Sequence, residues 1–207
     1  MASVITGREK LIRRRIEESV RSKQAMLDAE STCISLAAAA AEEIVRALRA
    51  GGKVIFFGNG GSAMDAGHLA AELLGRFYRD RPALPSVSLP DSTAAMTAIG
   101  NDYEYAEVFA RQVAGLGRRG DVLVGLTTSG RSVNVVRALA VGREMGMVTV
   151  ALTGAGGGDV AGVADICISV PATDTPRVQE ACMHLGHTIC EIVEDEMFPE
   201  DPGADDR

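Results

Sequence analysis

From Lys53 onward the chain repeats one pattern: a short apolar run, a glycine-rich turn, then an amphipathic stretch of helical length. Apolar runs without polar alternation are strands covered on both faces, and helices between them are crossover connections, so the pattern dictates a parallel sheet flanked by helices. The runs fall at 53–57, 84–89, 121–126, 147–152 and 165–169. Pro85 cannot donate to a ladder and marks the second run as an edge strand. Helices are expected at about 62–76, 91–100, 103–116, 132–145, 157–163 and 176–197. Two more precede the first strand, at 5–29 and from a Ser31 cap through Leu48, the second rich in alanine and stopped by Gly51-Gly52. This pair can pack on the sheet or on a second subunit, and the second subunit is the expected partner. Residues 1–30 are therefore read as an oligomerisation helix, 31–198 as one α/β domain, and 199–207 as an acidic disordered tail.

Length agrees, because 207 residues suffice for one core. With 46% hydrophobic and 24% charged residues the chain is neither disordered nor fibrous. The net charge of −7 sits in residues 191–207, and the rest is neutral. A neutral body without a basic stripe argues against nucleic acid as partner, since phosphate neutralisation dominates that affinity. The local bases of 8–23 interleave with Glu9, Glu17 and Glu18 at helical spacing, as on a solvated helix face. No run approaches the about 18 apolar residues of a membrane span, and no charged segment leads into an apolar block and cleavage site. A cytoplasmic protein is expected. Cys33, Cys167, Cys182 and Cys190 form no CxxC pair and are expected as buried thiols.

In an open parallel sheet ligands bind beyond the carboxyl ends of the strands, which directs attention to the loops after the first and third runs. The first, Gly58-Asn59-Gly60-Gly61-Ser62, lets backbone approach a ligand, but it lacks the P-loop lysine and the dinucleotide fingerprint spacing, and it also suits a tight turn with no ligand. The second, Thr127-Thr128-Ser129-Gly130-Arg131-Ser132, places four hydroxyls and backbone N–H groups at a helix N-terminus. An ordinary cap explains one or two hydroxyls, whereas four make a cradle for a phosphate that must be released. The histidines lie in two helices. His68 and Glu72 are spaced i,i+4 and can share a divalent metal from one helix face; His187 and Glu191 have the same spacing, and an i,i+4 His–Glu pair is often only a surface hydrogen bond. Spacing leaves both pairs open, and leaves open whether Gln179 joins either.

Taken together, GNGGSAMDAGHLAAELLG from Gly58 to Gly75, Asn101-Asp102, Thr127 through Ser132, and Gln179 with His187 resemble the phosphoheptose isomerases of the sugar isomerase (SIS) domain group, over roughly residues 30–198. The resemblance implies a single SIS domain, a flavodoxin-like three-layer fold with a five-stranded parallel sheet and two N-terminal helices. It implies an aldose–ketose isomerase acting on sedoheptulose 7-phosphate, and a homotetramer with active sites between subunits. It implies one zinc per subunit on His68, Glu72, Gln179 and His187, with Glu191 left out. Glu72 would be the base that moves a proton between C1 and C2, and His187 the acid. Asn59, Gly60, Gly61, Glu72, Asn101, Asp102 and Gln179 would contact the sugar, and Thr127, Thr128, Ser129 and Ser132 the phosphate. Cys182 departs from the pattern, standing where many members carry histidine, and His184 takes a different place in the turn.

The residue types suit that chemistry, since an enediol isomerisation needs a group to carry the proton and an acid or cation to polarise the oxygens. A base that is also a metal ligand must loosen during turnover. The rival expectation is a non-catalytic SIS-domain protein, either a phosphosugar sensor or an adaptor of the kind that associates with the bacterial replication initiator. Retention of Glu72 and His187 argues for the enzyme, on this or another phosphosugar.

Overall fold

The computed structural model describes residues 6–28 and 31–199, so the acidic tail expected at 199–207 lies outside them beyond its first residue. Helix α1 (Gly7–Met26) opens on a capping box in which Thr6 and Glu9 satisfy each other's backbone N–H. It buries only Ser22 and Met26. Helix α2 (Cys33–Arg49) follows; Ser31 Oγ accepts from the Cys33 N–H, and the helix ends where Gly51 and Gly52 donate back to Leu48 and Ala47. Its alanine-rich face, with Ala37, Ala40, Ala41 and Ile44, is part of this chain's own core. The second helix therefore packs through this face on the sheet of its own chain.

Strands β1 (Val54–Gly58), β2 (Ser86–Ser88), β3 (Val122–Thr127), β4 (Val148–Thr153) and β5 (Ile166–Ser169) form one parallel sheet in the order β2-β1-β3-β4-β5. The short β2 is at an edge, as Pro85 dictates. Every residue of β1 and β3 is buried, because helices cover both faces. Alternate residues supply two cores: Val54, Phe56, Val122, Val124 and Leu126 face one way, Ile55, Phe57 and Leu123 the other. Helices α3 (Gly61–Leu74) and α7 (Thr175–Met197) cover the first core together with α2, while α5 (Ala110–Leu116) and α6 (Val133–Glu144) cover the second, where Phe57 packs on Phe109 with ring centroids 5.2 Å apart.

Two expected helices differ. The 103–116 stretch is broken: α4 (Thr93–Asp102) ends just before it, Glu104 is extended at φ −155° and ψ 159°, a 3-10 turn spans Tyr105–Glu107, and only then does α5 begin. The 157–163 helix is a 3-10 turn, Gly158–Gly162. Among the described residues no helix is long and apolar enough to cross a membrane.

Candidate active site

The chain leaves β1 for one side of the sheet and returns with β3 on its other side, so the crevice between these strands is the topological switch point. Both singled-out loops open there. After β1 the chain passes through Gly60, at φ +58°, into α3. A Cβ on Gly61 would lie 2.7 Å from Gln179 Nε2, so glycine lets the α7 amide pack directly on this backbone. Gln179 Nε2 donates to Asp65 Oδ2 at 2.8 Å. Burial holds the Asp65 carboxyl above its ordinary range, against the pull of that hydrogen bond and of His68.

After β3, the buried Thr127 shares a 3.1 Å hydroxyl contact with Ser132, and Ser129 Oγ accepts from the Arg131 N–H. Helix α6 starts at Val133, so the positive end of its dipole faces the same loop, and the Val135 and Val136 N–H groups donate to the Ser132 carbonyl. Gly130, at φ +67°, interlocks with the loop after β4: a Cβ there would be 2.1 Å from the Gly157 carbonyl oxygen, and Val160 N–H donates to Gly130.

Two residues that sequence reasoning passed over lie between the loops. Asn59 and the buried Asn134 exchange amide hydrogen bonds of 2.8 and 2.9 Å, and Tyr105 donates its hydroxyl to Asn59 Oδ1 at 3.0 Å. An asparagine among the valines of a helix's first turn was the one available signal. Tyr105 follows α4, whose last residues, Asn101 and Asp102, pair at 2.9 Å on the rim.

The other candidates converge elsewhere. His68 Nε2 lies 2.9 Å from His187 Nε2 and 3.2 Å from Glu72 Oε1, and among the described residues these three form the grouping able to hold a metal ion. Phe77 leans on His187 at 5.9 Å between centroids. Glu191 is not in the group, and His184 is exposed. The donors fit a divalent metal, since zinc–nitrogen bonds of about 2.0–2.1 Å put tetrahedral ligands about 3.3 Å apart. Gln179 is not brought to them, being eight residues before His187, about 12 Å along α7. His68 and Glu72 lie about 10 and 16 Å down the α3 axis from Gly61, with Gln179 and Asp65 between the crevice and His68.

Cys182 is buried and its thiol pushed up to about 12 by that burial, so it stays protonated. Cys33 and Cys190 are buried too, while Cys167 is half-buried; all four are free.

Residues 16–154 match the SIS domain family. The phosphoheptose isomerase of Rhodospirillum rubrum is 52% identical over 163 residues, 79% of this chain and 87% of that protein. Among solved structures, the phosphoheptose isomerase of Neisseria gonorrhoeae is 40% identical with a TM-score of 0.83, over 90% of this chain and 98% of the other. That of Francisella tularensis is 34% identical with a TM-score of 0.87, over 92% and 100%.

Proposed function

Because this chain belongs to the SIS domain family and, within it, to the phosphoheptose isomerases, we propose that it interconverts sedoheptulose 7-phosphate and D-glycero-D-manno-heptose 7-phosphate through an enediol. The observation that carries this reading is the convergence of Glu72 with His68 and His187 on a chain that also has a hydroxyl-lined anion loop. Glu72 takes the proton from one of C1 and C2 and returns it to the other, and His187 exchanges the proton of the adjacent oxygen. Thr127, Thr128, Ser129 and Ser132 hold the phosphate, which positions the reacting carbons with binding energy remote from them. Asn59, Gly60, Gly61, Asn101, Asp102 and Gln179 orient the hydroxyls; the Asn134 amide fixes which way Asn59 points.

His68, Glu72 and His187 would hold zinc, which when bound supplies a cation that polarises sugar oxygens and fixes the ligands. Gln179, whose amide packs on Gly61 and Asp65 one turn before His68, is the fourth ligand of the set. The protein works as a homotetramer with centres between subunits. Exposed Ile12, Ile16 and Val20 give α1 an apolar stripe for such contacts. A cytoplasmic location suits the four free thiols.

The test is incubation with sedoheptulose 7-phosphate in heavy water, followed by NMR. Aldose should form with deuterium at the isomerised carbon, and Glu72→Gln should lower kcat by about 10²–10⁴-fold while leaving the assembly intact. Binding of the sugar phosphate without product, zinc supplied, would favour the sensor instead.

A further inference from the structure

Arg81 and Glu194 form an ion pair whose side chains are only 2% and 1% exposed. Removing two charges from water is tolerated only where hydrogen bonds saturate both, and here they do. Glu194 accepts from the N–H groups of Phe77, Tyr78 and Arg79, at 3.0, 2.7 and 3.0 Å, and from Arg81 Nε at 2.8 Å. The remaining Arg81 donors go to the carbonyls of Glu72 at 2.9 Å, Leu73 at 2.8 Å, and Gly75 and Pro82 at 3.1 Å. Glu72 and Leu73 belong to the last turn of α3, whose carbonyls have no partner inside the helix and favour a cation.

One buried pair thus joins the end of α3, the segment that crosses from it, and α7. Glu194 stands seven residues after His187 on α7, on the same face, and Arg81 holds the carbonyl of Glu72 itself. Phe77, whose N–H is tied to Glu194, is the residue whose ring leans on His187. We propose that Arg81 and Glu194 are positioning residues for the isomerisation: they set the separation of α3 from α7, and with it the approach of His68 and Glu72 to His187. The inference rests on the roles given above to Glu72 and His187. Neither residue of the pair touches substrate.

A strut that served stability alone would lower the melting temperature and leave the folded enzyme as active as before. Glu194→Gln and Arg81→Lys, made in the full chain, separate the two roles when compared with Asp121→Asn. Asp121 is another buried carboxylate, bonded to Lys53 and to the Arg118 N–H just before β3 begins, and it touches neither Glu72 nor His187. The measurements are melting temperature, kcat and KM with sedoheptulose 7-phosphate, and zinc retained against a competing chelator. At a temperature where all variants are folded, the two pair variants should lose about 10²-fold in kcat, with KM little changed because the phosphate loop is untouched. They should hold zinc about 10–100-fold less tightly. Asp121→Asn should melt earlier yet keep wild-type kcat and zinc. Wild-type kcat and zinc retention in both pair variants would overturn the proposal, as would losses that track melting temperature alike in all three. If the wild type makes no aldose, the isomerase reading fails, and zinc retention still decides the positioning claim.

Discussion

Gly130 carries the shape of the loop after β3, because its backbone is left-handed and the Gly157 carbonyl occupies the place of a side chain. Gly130→Ala should cost about 1–3 kcal/mol of stability in urea and raise KM for the sugar phosphate, since the loop must shift to admit the methyl group. The hydroxyls of Thr127 through Ser132 were legible in the sequence because they act within one turn. Gly157, Asn134 and Tyr105 were not, because each meets its partner only after the sheet has assembled. The metal-capable residues fall between these cases. Spacing found both His–Glu pairs, the family resemblance chose His68 with Glu72, and the fold then brought His187 to them.

At the scale of elements, the strands were read within one or two residues, since runs such as 121–126 are apolar throughout and bounded by turns. The helix expected over 103–116 failed for a tertiary reason: Tyr105 is drawn to Asn59 across the crevice, and Glu104 must extend to allow it. Glu194 shows the limit of charge counting. Read among the acids of the C-terminal region, it is a buried anchor of α7. Burial pushes its pKa up, but the Phe77, Tyr78 and Arg79 N–H groups and the Arg81 guanidinium outweigh that and hold the carboxyl below its ordinary 4.5. A group depressed in the folded state contributes stability that is present above its unfolded value and is lost as pH falls through the folded one. Urea midpoints should therefore decline below about pH 4.5 in the wild type and less steeply in Glu194→Gln; equal slopes would remove Glu194 from the account of acid stability.

For the whole molecule, α1 buries only Ser22 and Met26 in its own chain, and its Ile12, Ile16 and Val20 are each more than half exposed along one face. Ile16→Glu should shift the particle mass downward by light scattering while circular dichroism stays unchanged. An assembly was expected from the N-terminal helices and from the resemblance, and not from the site residues, because no residue pattern in one chain states which copy would complete its site. The spacing between Gly61 and Glu72 along α3 carries a genetic consequence. If each centre draws its phosphate loop from one subunit and its proton-moving carboxylate from another, two different defects repair one another. Glu72→Gln chains and chains with Ser129→Ala and Ser132→Ala, each nearly inert alone, should recover up to about a quarter of the intact centres when unfolded and reassembled as a mixture. A lesion in this protein is then recessive or complemented according to which end of one helix it strikes.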